Sequence, residues 1–388
     1  MEIEIRKSGI MDRLYGKEIR VICMPEMCRQ RYGYSVGDFI DITEPTTGKT
    51  VMLEVRQAFS EDVNNGPHFA YLTEGIFSRV VNDNTAKIKR VENITLGCDP
   101  ETFLVQRDTE LLIEAYRFMS KSGDVGNDGI LMEFRPRPSV DAEVVCGNIW
   151  GLLNKARGIL NRKPLGRNVR IQPTSHHRPS GLTAGFHLHY GLPNGFLGTS
   201  KEVNDIARMM VRVFDYYVGV PSIIPEGNED SGRRTDRRMP YGKPGGFRLD
   251  WRTLEFRLPG AVNLAHPVLT AGLLALGAAV AEDVASRINT CTDCFNDMGE
   301  ITRGFNITEL YPNLPPPEEV QATICNPDIG PARWHFNNVI RNDVVRMLGY
   351  KTRQSTVEAY FSSMEGDNPK FSNDMEYNWR QMYEEHLG

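Results

Sequence analysis

Two histidines stand one residue apart in the segment AGFHLHYGLP, residues 184–193. They are His187 and His189, and the whole chain has only eight histidines. Side chains alternate across a β-strand, so residues i and i+2 lie on the same face. On a strand, both imidazoles would therefore lie on one face, opposite apolar neighbours. Imidazole nitrogens bind divalent metals and contact anions, so the spacing indicates a binding face.

Three further segments repeat this alternation of apolar and chemically active residues. The pairs are Asp99 and Glu101 in LGCDPETFLV, Glu133 and Arg135 in GILMEFRPRP, and Glu255 and Arg257 in RTLEFRLPG. A half-solvated antiparallel sheet gives the same alternation, and it is the alternative for each pair taken singly. Solvent faces usually carry Thr, Lys, Ser and Gln, whereas all four pairs use residues that bind metals or anions. Side by side, the strands would offer ligands for magnesium or manganese.

A dense run of basic residues lies between the AGFHLHYG segment and the RTLEFRLPG segment. It reads NEDSGRRTDRRMPYGKPGGFRLDWR and contains Arg233, Arg234, Arg237, Arg238, Lys243, Arg248 and Arg252. Guanidinium groups meet phosphates in a two-pronged geometry, so the run favours a loop that folds over phosphates. A solvated charge run is the alternative. Beside a metal-binding face, the pattern predicts a nucleotide polyphosphate as the ligand.

Composition sets broad limits on the class of protein. The chain has 388 residues, of which 40% are hydrophobic and 24% charged, as in ordinary globular proteins. A formal net charge of -5 gives no general attraction to nucleic acid or to anionic membranes. The first residues are too charged for a secretory signal, and no uninterrupted apolar run of about 18 residues occurs. We therefore expect a cytoplasmic protein.

Two short motifs suggest chemistry that the rest of the chain does not support. The seven cysteines are few and odd in number, which favours reduced thiols over a disulfide framework. The CTDC segment, Cys291 to Cys294, lacks the second pair that a zinc knuckle needs. The TTGKT segment lacks the first glycine of a phosphate-binding loop, because Thr43 stands there, and is interpreted as an exposed turn.

The pattern of strand and helix signals along the sequence predicts three regions. Residues 1–92 are interpreted as a small β-domain with strands at 18–24, 38–42, 51–55 and 68–72. From there to residue 290, strands alternate with helices at 139–162, from a capping box at Thr199 and Glu202, and at 267–280. The last of these is too short to span a bilayer and suits a buried core helix. Residues 291–388 are predicted to be a mostly helical extension with a capping box at Ser355 and Glu358.

Taken together, the four strand motifs resemble those of glutamine synthetase and its relatives. DPETF resembles their acid-Pro-Glu strand, GFHLH their glycine-led HxH strand and LEFRLPG their ExR strand, and NLAHPVLTAGLLALGAAV resembles the helix after it. The motifs occur in the same order. GCDPE, the EFRP strand, HLHYG, and YGKPGGFR with EFR are most similar to the phage-type carboxylate-amine ligases, or amidoligases. The resemblance covers residues 93–290.

The resemblance implies an α+β fold in which an antiparallel sheet with flanking helices lines a funnel. It also implies ATP as a ligand and two or three magnesium or manganese ions. By position, Glu101 and Glu133 would bind one metal, and Asp99, His187 and Glu255 another. His189 and Arg257 would face the ATP phosphates, and Arg248, Lys243 and Arg237 would support them. Arg248, Arg257 and Glu255 are the implied catalytic residues. Relatives usually carry Glu at the position of Asp99, and Asp128 is the nearest candidate for a further acid near Glu133.

The implied activity is ATP-dependent formation of an amide through an acyl phosphate. Alternatives are a guanidino or other small-molecule kinase, a zinc-dependent hydrolase for which His266 would be a further ligand, and a non-catalytic virion-associated binding protein. Expected partners are a carboxylate and an amine, each a small molecule, peptide or protein, and no nucleic acid or membrane. The N-terminal β-domain could dock a phage or other protein. If phage-encoded, the protein would act in the bacterial cytoplasm.

Overall fold

The structure, a computed structural model, divides into two compact units. They are Met1–Asn93 with Pro193–Gly195, and Ile94–Leu192 with Phe196–Gly388. The described residues are 2–8, 10–11, 21–32, 34, 39–43, 50–65, 69–72, 74, 77–78, 85–90, 94–191, 201–235, 242–250, 253–290, 307–365 and 371–385. The predicted boundary after residue 290 stays a prediction.

The first unit contains a closed six-stranded barrel. Its strands are β1 (Glu2–Lys7), β2 (Val21–Met24), β3 (Phe39–Thr43), β4 (Thr50–Gln57), β5 (Ala70–Leu72) and β6 (Thr85–Arg90), in the order β1-β5-β2-β4-β3-β6. Helices α1 (Glu26–Tyr32) and α2 (Ser60–Asn65), which the sequence did not predict, lie between strands. Closure leaves no unpaired sheet edge, so a small unit of short strands satisfies its backbone. The TTGKT turn lies mostly outside the described residues.

The second unit is built on an eight-stranded sheet in which every pairing is antiparallel. The sheet contains β7 (Thr95–Gln106), β8 (Leu112–Ile113), β9 (Val125–Asp128), β10 (Leu131–Phe134), β11 (Val169–Gln172), β14 (Phe186–Gly191), β15 (Phe247–Asp250) and β16 (Thr253–Phe256). Its main order is β15-β16-β14-β7-β10-β9, with β8 and β11 on the far half of β7. Strands β12 (His176–His177) and β13 (Leu182–Thr183) form a separate hairpin.

Helices flank this sheet and share its core, so the predicted α+β class with an antiparallel sheet is confirmed. They are α3 (Ala142–Leu160), α4 (Pro164–Arg167), α5 (Lys201–Phe214), α6 (Val220–Ser222), α7 (Gly227–Ser231), α8 (Pro267–Thr290), α9 (Ile307–Leu310), α10 (Pro317–Ile324), α11 (Gly330–His335), α12 (Arg341–Val344), α13 (Gln354–Ser363) and α14 (Met375–Glu385). Two π-helical turns, Asp215–Gly219 and Phe336–Ile340, interrupt the α-helices. Short 3-10 helices occur at Ala115–Arg117, Gly232–Thr235, Ala261–Leu264 and Lys351–Arg353.

Helix α8 lies at the centre of the core and is longer than the sequence suggested. It spans 24 residues, because polar side chains after Val280 end the apolar run without ending the helix. Asp283, for example, is buried but accepts hydrogen bonds from Arg287 and Tyr311. By length and composition, Pro267–Arg287 could cross a membrane, but 89% of its apolar window is buried inside the protein. The expectation that this segment is too short to span a bilayer is therefore wrong, whereas its predicted burial in the core is confirmed.

Two local predictions about helices need correction. The sequence predicts Val145, Ile149, Leu152, Ala156 and Ile159 as the buried positions of α3, whose first turn Asp141 caps by accepting from the Glu143 N–H. Val145, Ile149 and Ala156 are buried as predicted, whereas Leu153 and Leu160 are buried more deeply than Leu152 and Ile159. The capping box predicted at Ser355 is wrong, because α13 continues a 3-10 turn and its N-cap is Arg353. Thr199 of the other predicted box lies outside the described residues.

Candidate metal and anion site

Strand pairing places the four predicted motifs next to one another. β16, β14, β7 and β10 are consecutive in the sheet, so the alternation that each strand shows becomes one continuous polar face. In register, His187 lies opposite Asp99, and Glu133 lies opposite Glu101. His189 and Arg248 flank Glu255 on either side. The residues between these positions, such as Phe186, Leu188, Leu254 and Phe256, are fully buried in the core.

Asp99, His187 and Glu255 form a cluster that fits a divalent metal ion. One ligand atom from each lies within 4.8 Å of the others. His187 Nδ1 is 3.8 Å from Asp99 Oδ2 and 3.6 Å from Glu255 Oε1. Glu255 is 1% exposed, and its Oε1 accepts no hydrogen bond within the described part of the chain. This buried oxygen is charge-paired with Arg257, and a cation with oxygen and imidazole ligands would compensate its charge further.

The electrostatics of the cluster follow from this close packing. Burial disfavours the charge on Asp99, but the neighbouring rings of His187 and His189 outweigh it and hold the pKa of Asp99 well below its usual range. For His187, burial disfavours the imidazolium, yet the nearby carboxylates of Asp99 and Glu101 raise its pKa. A bound cation would take over from the proton on His187, because metal ligation requires the neutral ring.

A second acidic group lies one strand further along the face. Burial raises the pKa of Glu101, although the Gly185 N–H donates to its Oε2 at 2.8 Å. Burial also raises the pKa of Glu133, against the neighbouring guanidinium of Arg135, with which Glu133 forms an ion pair. Asp128 and Glu101 line the same cavity of about 290 Å³ as His187. These acids share one face of the sheet, but their ligand atoms do not come within 4.8 Å of one another as a group of three, as those of Asp99, His187 and Glu255 do.

Two guanidinium groups converge on the buried Glu255 from the more exposed side. Arg248 Nε lies 2.5 Å from Glu255 Oε2, and Arg257 Nε forms an ion pair with Oε1 at 3.1 Å. The Arg248 side chain is 61% exposed, so a ligand in solution can reach it. His189 Nε2 lies 2.6 Å from Asp99 Oδ1 at the same rim. Basic side chains thus border the acidic cluster, as is required for an anion site next to a metal site.

Part of the basic run has a different role from the one the sequence suggested. Arg233 and Arg234 are 5% and 2% exposed, and both bind the fully buried carboxylate of Glu226. Arg234 Nε also donates to the Gly242 carbonyl at 2.6 Å. A buried carboxylate such as Glu226 requires paired positive charges, which Arg233 and Arg234 supply. The two ion pairs also fix the position of the start of the loop. Lys243 lies at the turn before β15, whereas Arg237, Arg238 and Arg252 lie outside the described residues.

Three contributing residues carried no assigned role in the sequence analysis. Arg135 pairs with Glu133, and Glu226 holds the two arginines. Gly185 was noted only as the residue that leads the HxH strand. A Cβ there would lie 2.5 Å from His187 Nε2, so only glycine leaves room for that imidazole. In the sequence, the only indication of this role is that Gly185 directly precedes Phe186, the first residue of the strand.

Another expected ligand lies elsewhere. The ring of His266, the further ligand of the zinc-hydrolase alternative, stacks on Phe371, and its Nδ1 accepts from the Val268 N–H. It is not one of the residues of the cluster. The CTDC cysteines lie outside the described residues, and the five described cysteines are free thiols.

Fold and site together define an α+β protein whose antiparallel sheet presents a carboxylate–imidazole cluster bordered by arginines. Residues 96–305, more than half of the chain, match the family described as Phage phiEco32-like COOH.NH2 ligase-type 2. The chain belongs to this family of carboxylate-amine ligases.

Comparison with solved structures gives distant similarities. The chain is similar to apo GmaS without ligand, at 13% identity over 85% of this chain and 98% of that one, with a TM-score of 0.36. It is similar to a bifunctional glutathione synthetase from Pasteurella multocida, at 10% identity over 76% of this chain and 53% of that one (TM-score 0.41). A novel glutamine synthase homolog shares 12% identity over 89% and 82% (TM-score 0.37). No curated protein matches the sequence.

Proposed function

We propose that this ligase uses ATP to activate a carboxylate as an acyl phosphate and then joins it to an amine. The observation that supports this best is the Asp99, His187 and Glu255 cluster, whose buried Glu255 is contacted by both Arg248 and Arg257. Activation is necessary because a carboxylate is a poor electrophile and hydroxide a poor leaving group. Membership of a carboxylate-amine ligase family favours this reaction over the kinase, hydrolase and binding-protein alternatives.

In the proposed reaction, a carboxylate oxygen of the substrate attacks the γ-phosphorus of ATP, and ADP leaves. The amine nitrogen then attacks the acyl carbon, the amide bond forms, phosphate leaves and the nitrogen loses a proton. Arg248 and Arg257, with His189 at the same rim, would bind the phosphate oxygens and stabilise the charge that moves between them. Lys243, on the turn before β15, would add a further positive charge.

Divalent cations are the proposed cofactors. Asp99, His187 and Glu255 would hold one, and Glu101 and Glu133, with Asp128 nearby, would hold another. Magnesium or manganese there would screen the negative charge of the polyphosphate. The shorter arm of Asp99 does not exclude it, since its Oδ2 is 3.8 Å from His187 Nδ1.

The family implies that the carboxylate and the amine are small molecules or peptides. We propose that the reaction takes place in the cytoplasm, in a bacterial host if the gene is carried by a phage. The N-terminal barrel is the proposed docking unit for a protein partner, and neither nucleic acid nor a membrane is a proposed partner.

The test is release of ADP and phosphate by the full chain with MgATP, against pools of carboxylates and of amines including amino acids and peptides. We expect turnover that needs one compound of each class and yields stoichiometric ADP and phosphate. The Glu255→Gln variant should lose this turnover, whereas Glu143→Gln, a change at an exposed helix residue, should keep it.

Other outcomes would contradict the proposal in distinct ways. ADP without free phosphate, together with a stable phosphorylated product, would establish the kinase alternative. Bound zinc and hydrolysis without ATP would establish a hydrolase. Absence of metal-dependent ATP binding would support a non-catalytic role.

A further inference from the structure

A buried aspartate outside the predicted site contacts the segment from Lys243 to Arg248, which we call the arm. Asp215 begins the π-helical turn Asp215–Gly219, directly after α5, and is only 7% exposed. Its Oδ2 accepts a hydrogen bond of 2.8 Å from the N–H of Gly245. π-helical turns within α-helices are frequent at functional sites, because they displace side chains from their regular positions.

The contacted residue lies at the point where the arm changes direction. Lys243 to Gly246 form a tight turn, in which the Gly246 N–H donates to the Lys243 carbonyl at 3.2 Å. Gly245 has φ +76°, a value that favours glycine at the third position of such a turn, and Pro244 occupies the second. Asp215 therefore fixes the N–H of the residue that sets the bend.

The chain leads from this turn directly into the phosphate side of the candidate site. The Gly246 carbonyl accepts from the Arg257 N–H at 3.0 Å, and β15 then places Arg248 opposite Glu255. The residue directly before the arm, Gly242, is held separately, because its carbonyl accepts a hydrogen bond from Arg234 Nε. At the bend itself, the Asp215 side chain is thus a contact from the π-helical turn to the arm, in addition to the backbone bonds that join the arm to β16.

The buried position of Asp215 is energetically unfavourable for a carboxylate. Its other oxygen, Oδ1, is buried and has no hydrogen-bond partner within the described part of the chain. Burial raises its pKa to about 7, and the Gly245 N–H opposes this only partly. A buried carboxyl group with one amide partner costs folding energy, and such groups concentrate at sites where position matters more than stability.

We propose that Asp215 is a positioning residue that holds the Lys243 to Arg248 arm in the conformation that binds the phosphates of ATP. It contacts no reacting group itself. It acts through the Gly245 N–H, which sets the direction of Lys243 before the turn and of Arg248 after it. The role of the arm in binding ATP rests on the proposed function, whereas the tether itself does not.

The experiment compares Asp215→Ala, which removes the acceptor, with Asp215→Asn, which keeps an oxygen for the Gly245 N–H. In the full chain, MgATP affinity is measured by calorimetry, and hydrogen exchange of the segment 243–248 is measured without ATP. We expect Asp215→Ala to weaken MgATP binding about tenfold and to accelerate exchange in the segment about fivefold or more. Asp215→Asn should stay within about threefold of wild type in both.

A matched control separates this effect from general destabilisation. Asp283→Ala removes another buried carboxylate, on α8, whose partners Arg287, Tyr311 and Leu348 lie outside the arm. It should lower thermal stability but leave MgATP affinity and exchange of the segment 243–248 unchanged. The proposal is overturned if Asp215→Ala binds MgATP and exchanges like wild type, or if Asp215→Asn loses as much as Asp215→Ala. A wild type that binds no MgATP would refute the proposed function, and exchange alone would then decide whether the tether exists.

Discussion

At the scale of single residues, Glu255 has the most contacts with other groups of the site. It is buried, lies near His187 on the acidic side and forms ion pairs with Arg248 and Arg257 on the basic side. Its negative charge therefore serves two neighbours of opposite function, a candidate cation and a candidate phosphate-binding pair. Arginines held by Glu255 are aligned before a ligand arrives, which reduces the cost of ordering them on binding.

Substitution of Glu255 by Gln tests this dual role without changing side-chain size. Loss of the charge removes a candidate metal ligand and the carboxylate that Arg248 and Arg257 share. We expect the affinity for Mn²⁺, measured by paramagnetic resonance, to fall at least about tenfold, while the circular dichroism spectrum is kept. Glu143→Gln is the control for a lost surface charge. Unchanged Mn²⁺ affinity in Glu255→Gln would remove Glu255 from the metal site.

At the scale of elements, strand β14 needs a glycine immediately before it to seat His187. A Cβ at Gly185 would lie 2.5 Å from Nε2 and 2.9 Å from Cδ2 of that ring, so the imidazole must move. Gly185→Ala should therefore weaken Mn²⁺ binding about tenfold although no ligand is replaced. Gly147→Ala, on α3 where a Cβ meets nothing within 4 Å, is the control and should bind normally. Equal Mn²⁺ affinity in both variants would contradict the geometry.

The junction between α5 and its π-helical turn gives a prediction about pH. The pKa of Asp215 is raised to about 7 by burial, whereas an unfolded aspartate titrates near 3.9. The folded state thus binds this proton more tightly, and the wild type loses stability as pH rises from about 4 to about 7. Asp215→Asn has no such group, so its melting temperature relative to wild type should rise over that range and level off above it. A pH-independent difference between their melting temperatures would show that Asp215 titrates normally.

The elements also show what the sequence could and could not predict. The polar face was predictable because the period of a strand is two, so LEFRL and FHLHY each assign their side chains to faces. The order of the four strands was not, since it depends on pairings between residues such as Asp99 and His187 that are far apart in sequence. The burial of Arg233 and Arg234 was missed for the same reason. Only the folded chain shows that Glu226 reaches them.

At the scale of the whole molecule, the two units have separate hydrophobic cores. Ile5, Ile22 and Ile40 belong to the core of the barrel, whereas the core around α8 starts at Ile94 and includes Trp379 near the C-terminus. The C-terminal helices are tied to this second core, because Trp379 Nε1 donates to the Leu264 carbonyl at 2.7 Å. A truncation after residue 290 would expose that core, whereas a cut before Ile94 would not divide it.

A polypeptide of residues 94–388 should therefore fold without the barrel, since a unit with its own core can fold alone. All the described candidate ligands lie within it, so we expect Mn²⁺ affinity within about threefold of the full chain and a single cooperative unfolding transition. Residues 94–290 should instead aggregate or unfold, because they lack the helices that cover α8. Loss of Mn²⁺ binding in a well-folded 94–388 polypeptide would contradict the placement of the complete metal site within the second unit.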